Sequence, residues 1–428
     1  MTQPLSRRSF LNRAGAAVAT FSVVPAYVMG GVKHKAPSEI LNVGIIGAGG
    51  QGIRDMRELF KLDDVRITAI CDVNEESDYS AFYYKGVAGR KPALKLVEEH
   101  YGFQPNFHGC AEYVDLHEML DKDKSIDAVL IATPHHMNAP ATQMGNYGHS
   151  GEGIRLAVEW LRDGACGDVT EIHAWTDNRN LLGQPIGRPK ETPPVPPGLD
   201  WDRWQGPVKK RPYHPNYFPY TWRSYWAYST GALGDMGCHN MDPAVWALEL
   251  DHPTTVEARA CKLDREGTPY AAMVYYHFAA RGQRPAIDMT WYSGLMPPRP
   301  QELVDGTDLI GGGQGILFIG TGGKMIMEGW GRSPRLLPLK RTREYQKPPK
   351  TIARSNGHFR DWVDACKGGK PASANFDYGR HLTEIVLAGN VALRTGKKLN
   401  WDGKNMRATN CPAADPYIRP EYHNGWTL

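Results

Sequence analysis

Two short stretches of this 428-residue chain carry residue types that could do chemistry. Gly47-Ala48-Gly49-Gly50-Gln51-Gly52 fits G-x-G-x-x-G, and Asp72 follows twenty residues after its last glycine. Gly47 permits a tight turn, Gly49 lets backbone approach a pyrophosphate, and Gly52 allows a helix to pack close on a strand. The N–H groups that open such a helix are free to meet phosphate oxygens. A carboxylate at Asp72 accepts hydrogen bonds from an adenosine ribose diol and repels a 2′-phosphate, which points to NAD in preference to NADP. The second stretch is "GALGDMGCHNMDPAVWALEL", where Asp235 and His239 are four apart and so share one face of a helix. Oxidising an alcohol requires removal of its proton as hydride leaves, and a histidine, with an ordinary pKa near ~6.5, suits that task. The same spacing fits a helix-start cap at Asp235 and a structural histidine at His239, and spacing alone favours that plainer reading.

The elements that must position these residues are legible around them. "LNVGIIGAGGQGIRDMRELFKL" reads as apolar strand, glycine turn and amphipathic helix, "VRITAICD" as a second strand, and "AEYVDLHEMLDKDKSIDAVLIATP" as helix then strand. Strand and helix alternating in this order predict a parallel sheet with helices on its faces. Ile154, Ala157, Val158 and Leu161 fall on one helix face that stops at Gly164. A strand, "DVTEIHAWTDN", and a proline-rich arm follow, then the strand-like pieces "TTVEARAC", "AAMVYYHFA", "PAIDMTWYS" and "GILFIGTGGKMIM", which suit a mainly antiparallel sheet. The helices "GHFRDWVDACKGG" and "DYGRHLTEIVLAGNVALRTG" come late in the chain. One place breaks the pattern. "ATQMGN" looks like the strand after "DAVLIATP", but only six residues, one of them a proline, separate Pro134 from Ala141. Parallel neighbours need a crossover of about a dozen residues or more.

Composition narrows the function classes. Hydrophobic content of 41% and charged content of 22% are those of an ordinary globular protein. Arg7, Arg8 and Arg13 account for most of the formal charge of +4, leaving no electrostatic case for nucleic acid or a membrane surface. "SRRSFLNRAG" and the apolar run after it form a twin-arginine export signal over residues 1–31, so the expected destination is the periplasm and no membrane contact is expected beyond the signal. Seven cysteines without a C-x-x-C pair support neither a zinc site nor a disulfide framework, and no metal is expected.

The motifs "GIIGAGGQG", "CDV", "IDAVLIATP" and "GDMGCH" resemble the Gfo/Idh/MocA oxidoreductase family, the glucose–fructose oxidoreductases, inositol dehydrogenases and relatives, over nearly the whole chain. "QMGNYGHSGEGIRLAVEW", "PPGLDWDRWQGP" and "RPYHPNYFPYTWR" are similar to its twin-arginine-exported branch. The resemblance implies an α/β fold: an NAD-binding Rossmann parallel sheet over 38–150 and, over 151–428, a C-terminal α+β domain with an open, mainly antiparallel sheet able to build a homo-oligomer. It implies hydride transfer between NAD and a hydroxyl carbon of a sugar, glycoside or cyclitol, with Asp235 and His239 in the catalytic positions. The cofactor set carries over to Gly47, Gly49, Gln51, Gly52, Asp72, Pro134 and His136. Tyr213, His214 and Arg223 are implied as hydroxyl partners of the substrate, with Asn146 and Trp291 further candidates, and each also reads as a packing residue. Some relatives oxidise the sugar transiently and act as glycosidases. Between Pro140 and Ala141 the family carries a strand–helix–strand unit of roughly thirty residues, with a Glu-Lys-Pro motif whose lysine lies at the reacting hydroxyl. This chain lacks that unit, and has His135 and Asn138 where the branch has Asp and His. Two expectations follow: a Rossmann sheet one strand short with an exposed sheet position, and a catalytically weakened or merely NAD- and sugar-binding protein as an alternative to the enzyme.

Overall fold

The computed structural model describes residues 39–82, 84–104, 107–134, 143–177, 187–261, 264–303 and 313–426. The export signal, His135, His136, Asn138 and the join at 140/141 lie outside the described residues. Contacts divide the chain into Met1–Ile40 and Leu41–Leu428, and everything below concerns the second unit. No helix among the described residues is long and apolar enough to cross a membrane.

The first sheet is built as the apolar runs predict. Strand β1 (Leu41–Ile46) leads into helix α1 (Gly50–Leu59), β2 (Val65–Cys71), α2 (Arg90–Tyr101), β3 (Ala111–Tyr113), α3 (Leu116–Lys122) and β4 (Ala128–Ile131). These four strands lie in the order β3-β2-β1-β4 and pair in parallel. Burial of β1 is nearly complete because the sheet is covered on both faces there. Every residue of β4 is only half-buried although the strand reads Ala-Val-Leu-Ile, and among the described residues no strand pairs with its outer edge.

One expectation fails here. Residues 143–146 of "ATQMGN" are not a strand: Met144 N–H donates to the Ala374 carbonyl (2.9 Å) in the C-terminal half, and the chain passes straight into a 3-10 turn, Tyr147–Ser150. Apolar–polar alternation over so few residues does not distinguish a strand from an extended connector pinned by a distant segment.

After this turn come α4 (Glu152–Arg162), β5 (Val169–Thr176), α5 (Gly231–Asn240), α6 (Asp242–Ala247), β6 (Thr255–Ala260), β7 (Ala272–Phe278), β8 (Ile287–Ser293), β9 (Gln314–Gly320), β10 (Gly323–Glu328), β11 (Arg332–Leu337), α7 (His358–Cys366), α8 (Phe376–Thr395), β12 (Leu399–Asp402) and β13 (Arg407–Ala408). The strands form one nine-stranded sheet, β11-β10-β9-β5-β8-β7-β6-β12-β13, antiparallel except where β5 meets β8. Ile154, Ala157, Val158 and Leu161 of α4 are buried, as their spacing requires, in a core shared with α5, α8 and the sheet. Helix α7 joins the two halves: Trp362 and Val363 pack into the core of the first sheet. Beside them, Asp64 accepts from Arg360 and Lys367, both at 2.6 Å.

Candidate functional site

The glycine turn is shaped by close contacts. Gly47 has φ +89°, and a Cβ there would stand 2.9 Å from the Ala132 carbonyl group, so both conformation and space demand glycine. A Cβ on Gly52 would fall 2.0 Å from the Gly47 carbonyl oxygen, so α1 rests directly on the turn. Asp72, at the end of β2, closes the loop from the other side. Its Oδ2 accepts from Ala48 N–H at 2.6 Å and its Oδ1 from Asn74 N–H at 2.8 Å. Burial raises its carboxyl above the ordinary carboxylate range, although both bonds and nearby Arg90 pull the other way.

A cavity of about 630 Å³ opens over this turn. Gly47, Gly49, Gln51, Asp72 and Pro134 line it on the first-sheet side, with Tyr79 and Tyr84 as a cover. Tyr84 lies so close that a Cβ on Gly50 would meet its ring at 2.2 Å. The opposite wall includes Trp204, Phe218 and Arg223, and Asn424–Trp426 of the C-terminal tail completes it. The final "RPEYHNGWTL" resembles the exported branch, but the motifs gave neither the tail nor the two tyrosines a site role, because both reach the cavity through non-local packing. Gly52 does not line the cavity; it acts beneath the turn.

Arg223 is the predicted substrate residue that does reach this cavity. Its guanidinium sits over Trp222 (4.2 Å) and Tyr220 (4.4 Å) and donates to Tyr84 Oη at 3.2 Å. Burial works against its charge, but Tyr84 and Asp235 outweigh burial and leave its pKa raised. Asp235 and His239 stand one turn apart on α5, as their spacing predicts; neither lines the cavity, and Asp235 acts electrostatically on Arg223, which does. The His239 ring faces Tyr147 (5.9 Å) and Trp330 (6.2 Å). Its Nδ1 is buried with no hydrogen-bond partner among the described residues. Burial holds its pKa below the usual histidine value, opposed by Asp235 and Asp242, so the ring is neutral near pH 7 and able to accept a proton.

The remaining substrate candidates are elsewhere. Trp291 is fully buried in the core, donating from Nε1 to Ser293 Oγ at 2.7 Å. Tyr213 is packed edge-on against Trp201 (5.4 Å) in an aromatic cluster behind the cavity wall. His214 accepts from Asn216 N–H (3.1 Å) and shapes its own turn. None of the three lines the cavity. Asn146 belongs to a buried network that the motifs did not reveal. It donates from Nδ2 to Asp242 Oδ2 at 2.9 Å, while His149 Nδ1 (2.9 Å) and the Tyr378 hydroxyl both bond Asp242 Oδ1. Trp246 stacks on His149 at 4.2 Å. Beside them Ser150 Oγ meets His358 Nδ1 at 3.0 Å, and burial first, then His149, pushes His358 down to about 4. Only Asp242 left a local trace, since it stands three residues after His239.

The fold has counterparts among solved structures. The WlbA dehydrogenase from Bordetella pertussis, solved with NADH and UDP-GlcNAcA, aligns with a TM-score of 0.52 at 14% identity, over 85% of this chain and 99% of that one. The WlbA enzyme of Chromobacterium violaceum, solved with the same two molecules, gives 0.53 at 13% identity over 85% and 97%. An NAD-binding protein from Listeria innocua gives 0.51 at 12% identity over 84% and 96%. At these identities the likeness concerns the fold. A curated sequence, a glycosyl hydrolase family 109 protein of Stenotrophomonas maltophilia (strain K279a), is 32% identical over 136 residues, or 32% of this chain and 26% of that one. That match spans about a quarter of the relative's length. Residues 183–283 match the Gfo/Idh/MocA family model described as "Oxidoreductase family, C-terminal alpha/beta domain".

Proposed function

We propose that the whole chain is a Gfo/Idh/MocA-type oxidoreductase of the exported branch that uses NAD to oxidise or reduce a hydroxyl-bearing carbon of a sugar, glycoside or cyclitol. The observation that carries this reading is one continuous arrangement: a glycine-turn cavity whose far wall holds Arg223, and behind Arg223 the Asp235–His239 pair with an unpartnered buried Nδ1. The residues fit a dinucleotide. Gly47, Gly49 and the start of α1 would hold its pyrophosphate, Asp72 the adenosine ribose, and Pro134 the approach to the nicotinamide end. When bound, NAD accepts or returns the hydride. His239 takes the hydroxyl proton, Asp235 sets its orientation, and Arg223 supplies positive charge beside Asp235. NADH in the two aligned WlbA structures supports the cofactor assignment.

The absence of the strand–helix–strand unit and its lysine makes turnover slow on this reading, and the open edge of β4 agrees with such a gap. The matched stretch of the glycosyl hydrolase favours one second reading, hydrolysis with transient oxidation and no net redox change. The test is to incubate the NAD-loaded protein with a panel of sugars and glycosides and follow NADH and released sugar together. NADH accumulation supports the dehydrogenase, whereas released sugar without NADH selects the glycosidase. His239→Ala should lower either activity by about 10²–10⁴-fold while NAD still binds. An unchanged rate in that variant refutes the role given to His239.

A further inference from the structure

Toward the β12–β13 end of the nine-stranded sheet three potential metal ligands converge. His381 and Glu384 are one turn apart on α8, and His252 comes from the loop that leads from α6 to β6. One ligand atom from each lies within 4.8 Å of the others. Two ligands on a tetrahedral zinc ion, each at about 2.0–2.2 Å, stand roughly 3.4 Å apart. The three side chains therefore need only an ångström-scale contraction to share one ion.

The hydrogen bonding around them leaves lone pairs unused. Glu384 is 5% exposed; its Oε1 accepts from Trp401 Nε1 at 3.1 Å, while Oε2 has no partner among the described residues. A buried carboxylate oxygen without a donor is costly. His252 Nδ1 stands 2.9 Å from Glu384 Oε1, in ion-pair range, but among the described residues this buried nitrogen has no aligned hydrogen-bond partner. His381 Nε2 lies 2.7 Å from the Leu250 carbonyl, which can only accept, so the proton is on Nε2 and Nδ1 carries the lone pair. A ring held by a carbonyl in this way is typical of metal-ligating histidine. The His252 ring rests on the backbone of Gly403, where a Cβ would fall 2.0 Å from it, and its side chain is 35% exposed, which gives an ion a route in and water a coordination position.

We propose that His252, His381 and Glu384 form a three-ligand site for a zinc-like divalent cation. Two imidazoles and one carboxylate suit a borderline ion such as Zn²⁺ over Mg²⁺ or Ca²⁺, which take oxygen ligands. The ion clamps the loop before β6 to α8 and, through Trp401, to strand β12. It lies apart from the glycine-turn cavity, so its role is structural.

The experiment uses the full chain stripped with a chelator, titrated with Zn²⁺ against a chromophoric competitor, with Tm followed in parallel. One equivalent should bind and Tm should rise, while Mg²⁺ does neither. His252→Gln and Glu384→Gln should each weaken Zn²⁺ binding by about 100-fold or more and abolish the Tm rise. His277→Gln, at the exposed His277–Asp288 pair, should change neither. His252→Gln is at a partly exposed position and should keep the metal-free Tm, so it carries the test even where Glu384→Gln folds poorly. A Tm unmoved by Zn²⁺, or a rise that both variants retain, overturns the proposal.

Discussion

Removing the Asp242 carboxylate should be among the costliest single changes in the molecule. Asp242 is 1% exposed and receives three donors: Asn146 Nδ2, His149 Nδ1 and the Tyr378 hydroxyl. Asp242→Ala leaves Asn146 Nδ2 and His149 Nδ1 without that acceptor, while the Tyr378 hydroxyl keeps only its longer bond (3.3 Å) to the backbone carbonyl of residue 242. A hydrogen bond to a charged group is worth about 1.5–3 kcal/mol, but such bonds in one network do not add, and breaking a buried charged partnership typically costs about 3–5 kcal/mol. That last range is the expectation for Asp242→Ala. Asp242→Asn keeps the shape and one acceptor but turns an amide donor toward donors, so about 2–3 kcal/mol should be lost. Urea unfolding at pH 7 can be followed by tryptophan fluorescence, because Trp246 stacks on His149 and reports the network directly. A second readout separates positioning from mere stability. Asp242 pulls the His239 pKa upward, so Asp242→Asn should move the acid limb of the pH–rate profile to lower pH in the protein that remains folded. A loss under about 1 kcal/mol for Asp242→Ala would show that the three donors find other acceptors. An unmoved acid limb would remove Asp242 from the electrostatics of His239.

Two further outcomes follow from ion pairs and hydrogen bonds around the first sheet. Burial favours protonation of Asp64, but hydrogen bonds from Arg360 and Lys367 win and lower its pKa from 3.8 to about 2. A depressed folded-state pKa contributes stability above the unfolded value that is lost as pH falls from about 4 toward 2; after allowance for solvent screening the loss is about 1–2 kcal/mol. Asp64→Asn should therefore flatten the acid arm of stability over that window, and an unchanged acid transition refutes the link. Asp72→Asn should narrow the preference for NAD over NADP by about tenfold, or ~1.4 kcal/mol, measured by calorimetric titration. If the ratio holds while Tm falls, Asp72 serves only to tie Ala48 and Asn74.

What the sequence discloses and what it conceals divides along the range of the interaction. Gly52 is forced by the Gly47 carbonyl five residues before it and Gly47 by its own positive φ, and the motif spacing records both, although Ala132 also crowds Gly47 from far along the chain. The face of α4 follows the helical period for the same local reason. Trp291 was legible too: Ile287, Met289 and Trp291 alternate along β8 at 0%, 1% and 0% exposure, so strand periodicity assigns the tryptophan to the core face. Its family position drew attention to chemistry where the alternation already spoke for packing. Residues 143–146 were misread because the bond that defines them runs to Ala374, which no local pattern contains. His149 and Tyr378 meet Asp242 from sites 93 residues before it and 136 residues after it, and His252 meets Glu384 in the same non-local way.

The open edge of β4 ties the fold to the chemistry. Ala128 and Leu130 pack toward the core that contains α1 and α7, while Val129 and Ile131 pack toward the smaller cluster around Met119 on the other face. Each face thus has its inner neighbour, yet all four side chains stay half-buried, and among the described residues no strand pairs with the outer edge. A strand covered by helices on both faces would be buried throughout, as β1 is. On the reading proposed above, the absent strand–helix–strand unit would supply both that outer cover and the lysine at the reacting hydroxyl. On that reading one gap would account for a structural and a catalytic deficit together, with Arg223 supplying positive charge beside Asp235. Arg223 is held by Tyr84, Tyr220 and Trp222 rather than by β4, so its place does not depend on that edge of the first sheet.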